Sequence, residues 1–262
     1  MNKPKTALIT GASSGIGLEL ARIHASRGGN LILTARRIDL LENLKKEITE
    51  KSGVNVFLIQ KDLAQPGAAW EIFESLKKKG IEIDYLINNA GFGLYGKFEE
   101  QDSAELRRMI ELNITALTEL THLFLPSMIK RGNGRIMNVA STAAFQAGPL
   151  LSVYSATKAY VLHFSEGVGN ETSHTGVTIT AFCPGATATG FQEAAHIGES
   201  RLVKGKKLPE AEPVALYGYK AMLKGKKVAI PGFMNAVMAA TTGFMPRAWV
   251  TGVARMMMEK KK

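Results

Sequence analysis

The chain of 262 residues is long enough for one large domain or two small ones. Hydrophobic residues make up 45% of it and charged residues 21%, which excludes disorder, collagen and coiled coil as descriptions of the whole. The net charge of +10 is unevenly distributed. Residues 1–200 hold 20 basic and 20 acidic side chains, whereas residues 201–262 hold 13 basic and 3 acidic ones. No base-stacking or groove-reading motif accompanies the basic end, so we expect no nucleic-acid partner.

Short apolar runs alternate with longer amphipathic segments along the first 230 residues. The runs predict seven strands, over residues 7–10, 31–35, 54–59, 85–88, 135–140, 177–183 and 227–230. Helical periodicity predicts helices over residues 16–27, 39–51, 69–78, 213–224 and near 104–130 and 153–174. Because parallel strands need crossover connections, this alternation predicts an α/β fold with a doubly wound parallel sheet in a single domain.

The turn after the first predicted strand has the glycine spacing of a phosphate-binding loop. Gly11, Gly15 and Gly17 form a G-x-x-x-G-x-G pattern between a strand and a helix. Gly11 would permit the tight turn, Gly15 a close approach to a pyrophosphate at the helix N-terminus, and Gly17 close packing of helix on strand. The cofactor-binding residues predicted in this turn are Gly11, Ser13, Ser14, Gly15, Ile16 and Gly17.

The end of the second predicted strand indicates which dinucleotide is bound. A carboxylate there would bind the ribose 2′-hydroxyl of NAD, but Ala35 holds the place and Arg36 and Arg37 follow. Arginine pairs with a 2′-phosphate, so the sequence favours NADP(H), with Arg36 the stronger candidate of the two. After the third strand, Asp62 could accept a hydrogen bond from an adenine amino group beside the backbone N–H of Leu63, or could be an ordinary turn residue.

A tyrosine and a lysine suggest acid–base chemistry. Tyr154 and Lys158 are four residues apart on a predicted helix and therefore share one face. A nearby ammonium favours the tyrosinate, so we expect Lys158 to lower the pKa of Tyr154 from about 10. A tyrosine tuned in this way can exchange a proton with an alcohol or carbonyl oxygen. On its own, such a pair is usually an ordinary surface pair.

In their order and spacing these motifs resemble the short-chain dehydrogenase/reductase family over roughly residues 5–230. The matching positions are Thr10–Gly17, Asn88–Gly91, Asn113, Ser141, Tyr154–Lys158 and Pro184-Gly185. The resemblance implies a Rossmann-type fold and an NADP(H)-dependent oxidoreductase that interconverts a carbonyl compound and an alcohol. It also implies a homodimer or homotetramer. The alternative is a nucleotide-sensing protein of the same fold without relevant turnover.

The resemblance also implies roles for single residues. Tyr154 would be the general acid in reduction and the base in oxidation, and Lys158 would hold the nicotinamide ribose. Ser141 would hydrogen-bond the substrate oxygen, and Asn113 would support a water in a proton relay. The other implied cofactor contacts are Asn89, Ala90 and Gly91 near the adenosine ribose, and Pro184, Gly185, Thr187 and Thr189, of which Thr187 and Thr189 would fix the carboxamide.

The last quarter of the chain departs from the strand–helix alternation. Residues 187–208 show no clear periodicity, and the resemblance implies that they form a substrate lid beside the catalytic domain of residues 1–230. Residues 231–262 form a basic, methionine-rich extension, and residues 247–259 have a two-faced helical pattern. This extension could pack on its own domain or on a partner subunit, or it could rest on an anionic membrane surface.

Other features give weaker indications. The five histidines show no metal-ligand spacing, so we expect no metal site. Cys183 lies in an apolar run and is expected to be a buried, unreactive thiol. The sequence shows no secretory signal, and its best candidate for a membrane span, residues 228–245, is broken by Pro231 and Gly232. We therefore expect a cytoplasmic protein, with peripheral membrane contact left open.

Overall fold

Seven parallel strands form one sheet in the computed structural model, which describes residues 3–195, 197–198, 200–201, 203–205 and 207–259. In space the strands follow the order β3-β2-β1-β4-β5-β6-β7. Their bounds are β1 (Thr6–Thr10), β2 (Asn30–Ala35), β3 (Val56–Gln60), β4 (Tyr85–Asn88), β5 (Gly134–Val139), β6 (Val177–Phe182) and β7 (Val228–Ala229).

Helices connect the strands and continue beyond the last one. They are α1 (Gly15–Ala25), α2 (Ile38–Ser52), α3 (Ala68–Lys78), α4 (Ser103–Ile110), α5 (Leu117–Lys130), α6 (Ser152–Glu171), α7 (Phe191–Ala194), α8 (Ala211–Leu223), α9 (Phe233–Thr241) and α10 (Arg247–Met258). A π-helical segment, Glu111–Ala116, joins α4 to α5. Among the described residues, no helix combines the length and hydropathy needed to cross a membrane.

The strands are largely apolar, as expected for a sheet with helices on both faces. In β1, the side chains of Ala7 and Ile9 pack into one core cluster, together with residues of α1, α2 and α8. Leu8, which points the other way, packs into a second cluster with residues of α3 and α5. All three side chains are fully buried. The structure confirms the doubly wound Rossmann-type sheet of seven strands that the sequence predicts.

Two helical features differ from the prediction. The segment predicted as one helix near residues 104–130 contains the π-helical turn Glu111–Ala116, a distortion that often marks functional sites. The helix α9 was not predicted, because its short apolar sequence offers no polar face to reveal the helical period. The amphipathic helix predicted over residues 247–259 is confirmed as α10.

The order of the strands reverses between β1 and β4, which are neighbours in the sheet although β2 and β3 lie between them in sequence. Crossovers therefore leave to opposite sides at this point, and a crevice opens at the carboxyl ends of β1 and β4. The glycine-rich turn after β1 and the segment Asn88–Gly91 at the end of β4 meet at this crevice. The fold thus brings together the motifs singled out in the sequence.

A buried histidine joins α1 to α8 on one side of the sheet. The two ring nitrogens of His24 lie 2.8 Å from the hydroxyl of Tyr219 and 3.0 Å from the carbonyl oxygen of Lys5. Because a carbonyl only accepts, Nε2 carries the proton and Nδ1 accepts from Tyr219. Burial lowers the pKa of His24 below its usual value. The folded protein therefore favours the neutral ring.

This histidine should make stability depend on pH. The unfolded chain binds a proton at His24 with a pKa of about 6.5, whereas the folded chain binds it only at lower pH. We expect the free energy of unfolding to fall as pH drops below 6.5, by at most about 1.4 kcal/mol per pH unit for this proton. Urea unfolding between pH 5 and 8 measures the slope.

The variant His24→Gln should show a flatter slope than the parent protein. The matched control is His163→Gln, at a position where the side chain is 79% exposed, and it should keep the parent slope. Equal slopes for the parent and His24→Gln would contradict the assignment.

Candidate active site

The glycine-rich turn is shaped for close approach of a ligand to its backbone. Gly11 and Gly15 adopt the left-handed conformation, with φ of +65° and +56°. A Cβ at Gly17 would lie only 2.4 Å from the carbonyl oxygen of Gly11. The N-cap of α1, Ser14, makes no side-chain capping bond, so the helix N-terminus offers free N–H groups. This turn therefore fits an anionic phosphate group.

Asn89 braces this turn from β4. Its Nδ2 donates to the carbonyl oxygens of Thr10, at 2.9 Å, and Gly11, at 3.2 Å. The hydroxyl of Thr10 in turn accepts from the backbone N–H groups of Asn89 and Ala90, each at 2.9 Å. Asn89 thus holds the turn in place through hydrogen bonds. The predicted position of Asn89 beside the ribose does not suggest these bonds. The bracing role of Thr10 was missed, because a threonine at a strand end is common.

The two arginines after β2 differ in their position relative to the turn. Nη2 of Arg37 lies 3.3 Å from the Oγ of Ser13 and 3.2 Å from the Oγ of Ser14. The side chain of Arg36 is exposed, and its carbonyl oxygen accepts from Gln60. The sequence ranked Arg36 above Arg37, whereas the structure brings Arg37 to the turn. As the N-cap of α2, Arg37 lies closer to the turn than its place in the sequence suggests.

The carboxylate after β3 has protein partners of its own. Asp62 accepts from the backbone N–H of Ala64 at 3.1 Å and from Nη2 of Arg108 at 3.2 Å. Arg108 lies on α4, a partner that no local sequence signal indicates. Leu63 beside it is buried. The adenine contact of Asp62 and Leu63 stays a prediction.

The ammonium of Lys158 is buried at the end of β5. Its side chain lies on α6, and Nζ donates to the carbonyl oxygen of Val139 at 2.7 Å. Burial lowers the pKa of Lys158 to about 8, because the ammonium has lost its water. A Cβ at Gly91 would lie 3.4 Å from this Nζ and 2.9 Å from Oδ1 of Asn113. Glycine at residue 91 therefore keeps a Cβ away from the amide of Asn113, whereas the distance to Nζ is close to an ordinary contact.

Tyr154 lies one helical turn before Lys158 and is also buried. Nζ of Lys158 lies 5.8 Å from the centre of the phenol ring. Burial raises the pKa of Tyr154 to about 12, and a hydrogen bond with Ser141 acts in the opposite direction. The expected lowering by Lys158 is therefore not found: desolvation raises the pKa, and the group that opposes it is Ser141.

Ser141 joins the end of β5 to the segment after β6. Its Oγ accepts from the backbone N–H of Ala143 at 3.1 Å and lies 3.4 Å from the carbonyl oxygen of Pro184. The same carbonyl accepts from the N–H of Thr142 at 2.9 Å. Ser141 is thus held by backbone groups on both sides, with its hydroxyl next to Tyr154. The structure brings the predicted serine, tyrosine and lysine together.

Asn113 lies in the π-helical turn and makes three side-chain hydrogen bonds. Its Oδ1 accepts from the N–H of Phe92 at 3.1 Å, and its Nδ2 donates to the carbonyl of Phe92 at 2.9 Å and to Oγ1 of Thr157 at 3.1 Å. Thr157 donates to the carbonyl oxygen of Tyr154 at 2.7 Å. The amide of Asn113 therefore holds the chain after β4 against α6. Its expected part in a water relay stays a prediction.

The segment after β6 crosses the glycine-rich turn. A Cβ at Gly15 would lie 3.0 Å from Cγ2 of Thr189. Gln192, which the sequence gave no reason to select, donates to the carbonyl oxygen of Thr187 at 2.6 Å and accepts from the N–H of Thr189 at 3.3 Å. Gly185 lies under Asn235 of α9, which leaves no space for a Cβ there. Thr187 and Thr189 are thus fixed near the turn.

An apolar cluster surrounds the ring of Tyr154. The aromatic ring of Phe191 in the predicted lid lies 5.3 Å from it, centre to centre. The buried members of the cluster are Met109, Leu151, Tyr154, Ala195 and Ile197. Met258 at the end of α10 packs against this cluster, and its carbonyl oxygen accepts from the hydroxyl of Tyr95 at 2.7 Å. Within the predicted lid, residues 196, 199, 202 and 206 lie outside the described residues.

Other candidate groups have structural roles. Cys183 is buried, and burial raises the pKa of its thiol to about 12, as expected of an unreactive cysteine. In the described part of the chain, no group of His, Cys, Asp and Glu side chains could hold a metal ion.

The fold and this site together define a class of protein. A parallel sheet with a glycine-rich turn at its switch point binds a dinucleotide, and a buried tyrosine–lysine pair beside it can move a proton. This is the arrangement of a dinucleotide-dependent oxidoreductase.

Comparison with known proteins identifies the family. The short chain dehydrogenase family matches residues 5–199. A very-long-chain 3-oxoacyl-CoA reductase of Rattus norvegicus is 30% identical over 252 residues, which cover 93% of this chain and 76% of the relative. The chain belongs to the short-chain dehydrogenase family and is an oxidoreductase acting on CH–OH groups.

Solved structures agree with this. A short-chain dehydrogenase from Sphingobium yanoikuyae in complex with NADPH is 33% identical, with a TM-score of 0.81 over 92% of this chain and 95% of that one. The bulky-bulky ketone specific alcohol dehydrogenase from Comamonas testosteroni is 32% identical, with a TM-score of 0.79 over 94% of each chain. The cofactor is therefore a nicotinamide dinucleotide, and the free N–H groups at the N-terminus of α1 fit its pyrophosphate.

Gly17 should be intolerant of any side chain. In Gly17→Ala the new Cβ would lie 2.4 Å from both the carbonyl oxygen of Gly11 and the side-chain amide of Asn89, so α1 must move away from β1. We expect a loss of about 1–3 kcal/mol in the free energy of unfolding, and weaker cofactor binding. Gly167→Ala on α6 is the control, since no atom lies within 4 Å of its Cβ position, and it should gain about 0.5–1 kcal/mol. Urea unfolding and cofactor titration measure both effects, and parent-like values for Gly17→Ala would contradict the packing argument.

Proposed function

We propose that the protein is an NADP(H)-dependent oxidoreductase that interconverts a hydrophobic carbonyl compound and its alcohol, with Tyr154 as general acid and base. The observation that carries the proposal is the position of the Tyr154 phenol. It lies between the hydrogen-bonding groups of Ser141 and Lys158 on one side and an apolar cluster on the other. A carbonyl oxygen could therefore meet a proton donor while its apolar substituents lie out of water.

In reduction, the phenol of Tyr154 gives its proton to the substrate oxygen. A bound reduced nicotinamide supplies the hydride for the carbonyl carbon. Because burial raises the pKa of Tyr154 to about 12, the phenol is protonated at neutral pH and is ready to act as an acid. Ser141 donates a hydrogen bond that stabilises negative charge on the phenol oxygen or on the substrate oxygen. The buried charge of Lys158 stabilises the tyrosinate that remains.

In oxidation, Tyr154 must first lose its proton to become a base. The raised pKa makes this form rare at neutral pH in the free protein. Alcohol oxidation should therefore gain from higher pH, whereas carbonyl reduction starts from the form already present.

The lining of the cluster supports an apolar substrate of some size. Phe191 and Ile197 from the proposed lid, residues 187–208, and Met258 from the extension all pack around Tyr154. They come from two separate segments of the chain and carry no charge. Two similar proteins have names that indicate bulky substrates: a very-long-chain 3-oxoacyl-CoA reductase and a bulky-bulky ketone specific alcohol dehydrogenase. Ketosteroids, 3-ketoacyl thioesters and diketones are the compounds to test.

The preference for NADP(H) rests on charge at the end of β2. Ala35 leaves no carboxylate to bind a ribose 2′-hydroxyl, and Arg36 and Arg37 bring two positive charges. The guanidinium of Arg37 already lies against Ser13 and Ser14 of the glycine-rich turn. A 2′-phosphate at this position would gain charge-assisted hydrogen bonds.

Assembly and location are further parts of the proposal. A homodimer or homotetramer through α5 and α6 is supported by Tyr160, which stacks on Phe164 and lies 3.0 Å from the hydroxyl of Thr118 while 38% exposed. A cytoplasmic location agrees with the single buried thiol of Cys183. Nothing in the comparisons supports the alternative of a nucleotide-sensing protein without turnover.

Removing the phenol oxygen should abolish turnover. In Tyr154→Phe we expect kcat to fall by about 10²–10⁴-fold, because the proton donor is lost, with nearly unchanged cofactor affinity. NADPH absorbance with a panel of carbonyl compounds measures the rates. Tyr217→Phe on α8, an exposed tyrosine, is the matched control and should keep parent activity. Full activity of Tyr154→Phe on a compound the parent reduces would refute the mechanism, and no turnover of any compound by the parent would favour the sensing alternative.

The cofactor preference is tested by titration of NADPH and NADH. We expect the parent to bind NADPH more tightly, and Arg37→Ala to lose about tenfold or more in NADPH affinity, as for a charge-assisted bond. NADH is the internal control and should change little. Arg36→Ala, measured in parallel, shows how much Arg36 contributes to the affinity for NADPH. Equal affinity of the parent for both cofactors would refute the preference.

A further inference from the structure

The last two helices of the chain expose large apolar side chains. Phe233 of α9 is 83% exposed, Phe244 in the connecting turn 91% and Trp249 of α10 68%. We define the C-terminal apolar face as Phe233, Val237, Phe244, Trp249, Val253 and Met256. Large apolar side chains exposed in this number within one short segment indicate a place where something binds.

The inner sides of both helices are already attached to the protein. In α9, Asn235 stands over Gly185, and in α10, Ala254 is buried. Residues two positions apart lie on opposite sides of a helix, so Phe233 and Val237 point away from the domain, as does Met256. The apolar face is therefore the outer side of two docked helices.

The charge around this face is positive. Residues 231–258 contain no Asp or Glu, and α10 carries Arg247 and Arg255. The carboxylate of Glu259 pairs with Arg255 at 3.2 Å, and three lysines end the sequence. Aromatic and aliphatic side chains on one side of a helix that also carries arginines suit the boundary between lipid headgroups and acyl chains.

We propose that the C-terminal apolar face docks the protein on an anionic lipid surface. The apolar side chains would enter the headgroup region, and the basic residues would pair with negative headgroups. A second copy of the chain fits less well, because both copies carry the same excess of positive charge in residues 231–262, whereas an anionic surface complements it. Docking of this kind uses none of the residues assigned to the proposed reaction.

Vesicle sedimentation tests the proposal with the full chain. The probes are vesicles of phosphatidylcholine with 30% phosphatidylserine, about the anionic content that gives strong surface potentials, and vesicles of phosphatidylcholine alone. We expect binding to the anionic vesicles and at least about tenfold weaker binding to the neutral ones. The double variant Phe244→Ser/Trp249→Ser should lose about tenfold in affinity for the anionic vesicles.

The control for lost apolar surface is Trp70→Ser, because Trp70 on α3 is similarly exposed, at 54%. It should bind vesicles like the parent. Trp249 is the second of two tryptophans, so in a Trp70→Phe protein its fluorescence should shift to the blue when anionic vesicles are added. Circular dichroism checks that the double variant is folded, and its rate on a water-soluble carbonyl compound should equal that of the parent.

Three results would overturn the proposal. One is no binding of the parent to anionic vesicles, and another is equal binding to neutral ones. The third is parent-like binding by a folded double variant. Light scattering separates the two occupants. If the parent is an oligomer, the double variant is not, and the parent binds no vesicles, the face would be assigned to a second copy. A protein that binds vesicles but reduces no carbonyl compound would leave docking intact and refute the proposed function alone.

Discussion

The hydrogen bond from the ammonium of Lys158 to the carbonyl oxygen of Val139 is the interaction on which the site depends. A buried cation is costly unless polar groups replace its water. The end of β5 supplies that group, so α6 must sit where Nζ can reach it. Gly91 leaves space for the amide of Asn113, which fixes the backbone that passes beside it. Tyr154, one turn earlier on α6, takes its position from the same placement.

A second set of polar bonds holds the cofactor side of the crevice. Asn89 and Thr10 tie the end of β4 to the glycine-rich turn, so the distance between the two is set by short hydrogen bonds rather than by packing alone. Gly17 then allows α1 to lie directly against the turn. The result is a rigid wall at the switch point of the sheet, and preorganised walls bind ligands without the cost of ordering them.

The sequence predicts the sheet well, and it predicts that Tyr154 and Lys158 lie together, because both leave local signals. Buried parallel strands are largely apolar, and Tyr154 and Lys158 are four residues apart on one helix. What it misses depends on residues far apart in the chain. Arg108 reaches Asp62, Gln192 holds Thr187, and Tyr95 meets α10 through tertiary contacts that no spacing encodes.

Electrostatics is harder still to predict from sequence. The pair of Tyr154 and Lys158 suggests a lowered phenol pKa, but burial of both groups reverses the sign for the tyrosine in the free protein. Burial follows from the whole fold, in particular from the apolar cluster that the lid and α10 complete. A charge pattern in the sequence therefore identifies the charged partner of a group, but not how far the fold buries that group from water.

The bond from the hydroxyl of Tyr95 to the carbonyl of Met258 has a thermodynamic consequence. Tyr95 and Met258 both border the cluster around Tyr154, while the same helix α10 bears Trp249 on its outer side. A molecule in the cluster that strengthens or breaks this bond changes the free energy that holds α10 in place. By reciprocity, whatever binds the outer side of α10 and alters that free energy changes the affinity of the cluster for its ligand by the same factor.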